Sequence, residues 1–237
     1  MNDAGTASLT DAVSGPRMMA DLRQIARWVK LSGTAEEAEA LRFVEGRLRD
    51  AGYRTETILH DAYISLPGAA RVEVDNQVLS AITHSFSRPS PAGGLAGEVV
   101  YVGQGAEADF AGKDLKGKIA LMEGMATPAN AQLASRAGAA GQIQISHQEN
   151  RHEMCISPVW GNPSPTTLRE LPTTVAATLS KSDGSALRER VLRGETPRVV
   201  IHAEVDTGWR KTPLLVAELD APGGGPDTPF VLLSGHH

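Results

Sequence analysis

The sequence has 237 residues, 41% hydrophobic, 22% charged and only 4% aromatic, enough apolar material for one large domain or two modest ones built on an aliphatic core. A formal net charge of −5 leaves no electrostatic footprint for nucleic acid or an anionic membrane surface. Cys155 is the sole cysteine, which excludes an intrachain disulfide and a cysteine-rich zinc site. Residues 1–10 carry neither a basic stretch nor an apolar run, and no apolar segment approaches about 18 residues, so the chain as written reads as soluble and cytoplasmic.

Ser14-Gly15-Pro16 predicts a helix entry, and Met18, Leu22, Ile25 and Val29 recur on one helical face up to Gly33. Thr34 with Glu37 has the spacing of a capping box. Ala38, Leu41, Val44 and Leu48 continue an apolar stripe to a stop at Gly52, and Arg54 to Leu59 follows as a strand. From Leu66 the pattern becomes short β-like runs: Val72 to Val74, Val78 to Ile82, Glu98 to Val102 and Ile119 to Met122. A helix is expected over Gln132 to Ala137, a strand over Gln142 to Ser146, an irregular Pro-rich stretch over Ser157 to Pro172, a strand over Thr173 to Leu179 and a helix over Asp183 to Leu192. Val199 to Val205 and Leu214 to Leu219 read as strands separated by a polar turn, and Phe230 to Leu233 as a strand buried on both faces.

The middle third carries the most specific pattern. Leu95 to Val102, Gly103-Gln104-Gly105, Asp109-Phe110, Asp114-Leu115-Lys116-Gly117-Lys118-Ile119-Ala120 and Ala137-Gly138-Ala139-Ala140-Gly141 occur in that order. By themselves the glycines mark tight turns and helix stops, and Lys116 and Lys118 lie on a turn. Together these segments resemble the protease-associated (PA) domain, to about Val205. A PA domain carries no catalytic residues; the resemblance implies attachment to, or insertion in, a peptidase, where it helps admit or hold substrate.

The flanks bear a second resemblance. Leu48-Arg49-Asp50-Ala51-Gly52-Tyr53, Leu214 to Leu219, and Phe230-Val231-Leu232-Leu233-Ser234-Gly235-His236-His237 are similar to the segments around the first strands of zinc aminopeptidases and glutamate carboxypeptidases. In that family a strand runs into a histidine and, two positions later, an aspartate, both binding metal. His236 matches the histidine, and the aspartate would fall at position 238, one past the last residue. The implied fold class is α/β: a β-rich α/β PA domain over residues 67–208, inserted into a truncated zinc-exopeptidase-type α/β domain formed by residues 1–66 and 209–237.

The implied reaction is zinc-assisted hydrolysis of a peptide bond near a chain end, with two zinc ions in the intact enzyme and a peptide as substrate. Since a catalytic zinc needs about three protein ligands, this chain is expected to be catalytically incomplete, with no catalytic residue of its own and His236 as its one assignable metal ligand. The helix stripe and the C-terminal strands are then expected to lack cover and to seek it in each other or in a second copy. Relatives of this kind are often exported, which leaves the cytoplasmic reading resting on residues 1–10. The alternative is a non-catalytic peptide- or protein-binding module in which His236-His237 have no metal role; the blander reading of the two histidines alone is a fragment of an affinity tag.

Other candidates have simpler readings. His147, Glu149, His152, Glu153 and Cys155 crowd one segment, but Ile156 stands where an HExxH motif requires its second histidine, so a solvated loop is expected. Trp160 reads as a packing anchor. Gly103-Gln104-Gly105 lacks the third glycine of a dinucleotide fingerprint, with Ala108 in its place, and Gly223-Gly224-Gly225 lacks the tail of a phosphate loop.

Overall fold

The computed structural model describes residues 11–225 and 227–236; residues 1–10, read above for targeting signals, and His237 lie outside the described residues. In chain order the elements are α1 (Gly15–Ile25), α2 (Ala35–Asp50), β1 (Arg54–Val74), β2 (Gln77–Ile82), β3 (Leu95–Gly97), β4 (Val99–Gly103), α3 (Glu107–Phe110), β5 (Ile119–Glu123), α4 (Pro128–Arg136), β6 (Gly141–Ile145), a 3-10 turn (Leu168–Glu170), β7 (Val175–Leu179), α5 (Lys181–Leu192) and β8 (Val199–Glu218). The chain divides into two compact units, Met1–Ala62 with Arg210–His237, and Tyr63–Trp209. Both long strands, β1 and β8, cross the boundary.

In the first unit, the Ser14 hydroxyl accepts the Arg17 N–H at 3.4 Å and starts α1. The helix ends at Ile25, short of the expected Gly33. Val29 therefore falls in a turned segment, its N–H given to the Glu36 carboxylate at 3.0 Å. α1 buries none of its residues, and Met18 and Leu22 stay exposed. At the start of α2 the Thr34 hydroxyl accepts the Glu37 N–H at 3.3 Å. The return bond differs from a capping box: the Glu37 carboxylate takes the Gly33 N–H at 2.7 Å, because the Thr34 N–H is already bonded to the Leu31 carbonyl. Gly52, with φ +91°, supplies the expected left-handed stop.

The expected turn between Val205 and Leu214 is continuous strand. Its polar side chains find partners on β1: in the first unit Lys211 pairs with Asp61 at 2.9 Å and Thr212 Oγ1 lies 3.0 Å from His60 Nε2, and in the second Thr207 Oγ1 lies 2.7 Å from Ser65 Oγ. Polarity here marks a ladder of paired side chains. Phe230 to Leu233, expected as a buried strand, is unpaired chain with its four side chains 79 to 87% exposed. A strand buried on both faces needs a neighbour along each edge and a layer on each side, and none of the described elements provides them.

The strands run β3-β8-β1-β2-β7-β6-β5-β4 across one sheet. β1 and β2 form an antiparallel hairpin closed by Asp75-Asn76, both at positive φ, as a tight hairpin turn requires. β4, β5, β6 and β7 are parallel. On one face Ile119, Leu121, Ile143, Ile145 and Leu179 pack with Leu187 of α5; on the other, Ala120, Met122 and Val102 pack with Leu115 and Ala134 of α4. β6 and β7 are buried along their whole length, which suits central parallel strands.

α4 begins four residues before the expected Gln132. Thr127 accepts the Asn130 N–H at 3.2 Å while the Asn130 side chain accepts the Thr127 N–H at 2.8 Å, and Pro128 occupies the first turn. Replacing Thr127 by alanine is expected to lower unfolding free energy by about 1 kcal/mol in urea denaturation; an unchanged midpoint would show that the cap contributes nothing.

Candidate functional site

His236 stands on exposed, unpaired chain after Leu233. Among the described residues no three His, Cys, Asp or Glu side chains come together in a way that could hold a metal ion. One imidazole does not hold a catalytic zinc, so the described residues do not fit that ion on their own.

The segment after β6 is a surface loop with structural duties. Glu149 accepts the Ser182 N–H at 3.1 Å and the Ser182 hydroxyl at 2.8 Å, at the first turn of α5, where a carboxylate is favoured by the helix dipole. His152, Glu153 and Cys155 are exposed. Trp160 is fully exposed; its loop is fixed instead by Asn162, whose side-chain oxygen accepts the Tyr63 N–H at 2.6 Å. Gly103, the last residue of β4, and Gly105 both adopt positive φ and turn the chain out of the strand. Lys118 is paired, at 3.1 Å with Glu98 and 3.5 Å with Asp114.

Two features escaped sequence reasoning. The first is a groove of about 590 Å³ in the second unit, whose lining includes Gly68, Ala69, Pro89, Pro91, His202 and Glu204. At its side His202 Nε2 lies 3.0 Å from Glu73 Oε1, although the approach lacks hydrogen-bond geometry. The second is a buried polar column beside β6 and β7. Gln142 donates to Thr174 at 2.8 Å, Gln144 donates to the Gln142 oxygen at 3.3 Å, and Thr83 donates to the Ala176 carbonyl at 2.8 Å.

His84 completes this column. It is wholly buried, its Nδ1 accepts the Met154 N–H at 3.2 Å, and its Nε2 lies 2.8 Å from Thr178 Oγ1. The first bond fixes the tautomer: Nδ1 bears the lone pair and Nε2 the hydrogen, donated to Thr178. Burial, helped by the charge of His152, pushes its pKa down to about 4. A lone histidine after a strand, with no second ligand or nucleophile at a useful spacing, gave no signal.

At the end of β5, Glu123 accepts both the Tyr101 hydroxyl at 3.1 Å and an Arg188 N–H at 2.8 Å. The Tyr101 pKa is raised by burial and then by this carboxylate, and Glu123 also raises that of Arg188. The trio ties α5 to the parallel strands.

Residues 95–187 match the family model of the PA domain. Over a longer stretch than this match, the fold is similar to those of solved aminopeptidase structures. An aminopeptidase from Aneurinibacillus sp. strain AM-1 aligns over 88% of this chain and 48% of its own, at TM-score 0.69 and 21% identity. A peptidase M28 precursor from Shewanella amazonensis SB2B aligns over 83% and 48%, at TM-score 0.62 and 17% identity. A zinc aminopeptidase from Bacillus subtilis aligns over 79% and 42%, at TM-score 0.58 and 18% identity. The chain thus spans about half the length of these structures or less. No curated protein matches it in sequence. Among the described residues no helix is long and apolar enough to cross a membrane.

Proposed function

We propose that this chain is the N-terminal portion of a zinc-dependent exopeptidase of aminopeptidase type, with a PA domain over residues 67–208 set between peptidase-type segments 1–66 and 209–237. The observation that carries this reading is the extent of the structural likeness: it covers 88% of the chain, well beyond the 95–187 span of the PA match. On this reading the PA domain helps admit or hold a peptide, and Phe230 to Leu233 become a central sheet strand that delivers His236 to a metal at its C-terminal end, where an open α/β sheet presents ligand-binding side chains. The remaining ligands and the catalytic base come from residues beyond position 237, and the exposed stripe of α1 finds cover in the same sheet.

The test is hydrolysis of aminoacyl p-nitroanilides by a polypeptide that continues past His237. Zinc-dependent cleavage is expected, with His236→Ala reducing kcat/KM at least about 100-fold through loss of a metal ligand. The 237-residue chain alone is expected to be inactive. Inactivity of the longer polypeptide with zinc, together with saturable peptide binding, would favour the non-catalytic binding module instead.

A further inference from the structure

We propose that His84 is an acid-sensitive clasp: neutral, it holds down the strap formed by residues 147–156, and on protonation it releases the strap's second half. The strap is tied in two places of different chemistry. Its first half is held at α5, where the Lys181 N–H donates to the Gln148 carbonyl at 3.1 Å and Glu149 receives the Ser182 N–H. Its second half is held around His84: the Met154 N–H donates to Nδ1, the Ser85 N–H to the Met154 carbonyl and the Ile156 N–H to the Ser85 carbonyl, the last two at 3.1 Å. Arg151 adds a bond of 3.3 Å to the Ser80 carbonyl.

The two ring nitrogens respond differently to a proton. Nε2 already carries a hydrogen and donates to Thr178, so that bond survives in the imidazolium. Nδ1 is an acceptor only in the neutral ring; once protonated it confronts the Met154 N–H with a second donor. The bond that protonation breaks is therefore the one to the strap. The groups packed against the ring from β7 and the strap, Thr178 and the Met154 amide, are neutral, and the titratable group that bears on its charge is His152 on the strap itself, which opposes a second positive charge. A charged ring in a buried site without a counter-charge favours any opening that admits water. The strap also carries Ile156, wholly buried against Ala126, Ala131 and Ala176, so release uncovers a small apolar patch.

Cys155, exposed and the sole cysteine, allows a nitroxide spin label to be placed on the strap of the full chain without mutation. The label is expected to gain mobility as pH falls, with a midpoint near 4, while far-ultraviolet circular dichroism stays native. In His84→Gln, whose amide oxygen can accept the Met154 N–H but does not titrate, the label should stay immobile through the same range. In His152→Asn, an exposed change that removes the opposing charge, the midpoint should move to higher pH. Three results would each overturn the clasp: no mobilisation above the pH at which the fold is lost, mobilisation coincident with global unfolding, or the wild-type midpoint retained in both variants.

Discussion

Ile143→Ala is expected to destabilise the chain by about 4 kcal/mol, read as a shift of the urea unfolding midpoint without a change in slope. Ile143 is wholly buried in the middle of β6, with Leu121 of β5 and Ala177 of β7 beside it in register, and all three face the core shared with Leu187 of α5. Truncation removes three carbons from a position whose neighbours are held by parallel pairing on both edges, so the site has little freedom to collapse. The transfer and cavity contributions therefore both apply. Ile143→Val removes one carbon and is expected to cost about 1 kcal/mol. Near-equal effects of the two variants would mean that β6 relaxes freely and that the sheet is not the rigid centre described above.

The unfolding free energy should also decline as pH falls, with a component assignable to His84. The folded ring titrates near 4 and the unfolded one at its ordinary value of 6.5. Above pH 6.5 both states hold a neutral imidazole and the contribution is complete. Between 6.5 and 4 the unfolded chain takes up a proton that the folded chain refuses, so stability drains away through this window and levels off below it. The gap corresponds to about 3 kcal/mol. Carboxylates titrate over part of the same range, so the measurement is the difference between wild type and His84→Gln: the wild type should lose about 3 kcal/mol more between pH 6.5 and 4. Parallel pH profiles would show that the buried ring does not remain neutral in the fold.

Local signals in the sequence were strongest where backbone conformation demands a particular residue. Gly52, at φ +91°, ends α2 where the apolar stripe placed that end. The run from Asp109 to Gly141 gave both the PA resemblance and the positions of β5 and β6 to within a residue or so. Composition misled where partnership decides. The polar residues Asp206 to Lys211 look like a turn until a facing strand is known. Trp160 fails as an anchor for a related reason, since an aromatic residue packs only if a surface is brought to it. His84 was invisible because its role comes from Met154 and Thr178, 70 and 94 positions away. His236 was singled out only through a family pattern.

Phe230 to His236 are proposed to form a sheet strand carrying a zinc ligand. Anomalous scattering from zinc in crystals of a polypeptide continuing past His237 tests it most directly. Zinc is expected about 2.0–2.1 Å from an imidazole nitrogen of His236, with Phe230 to Leu233 paired along both edges. Zinc bound without His236, or residues 230–233 still unpaired in the presence of the longer chain, would contradict it.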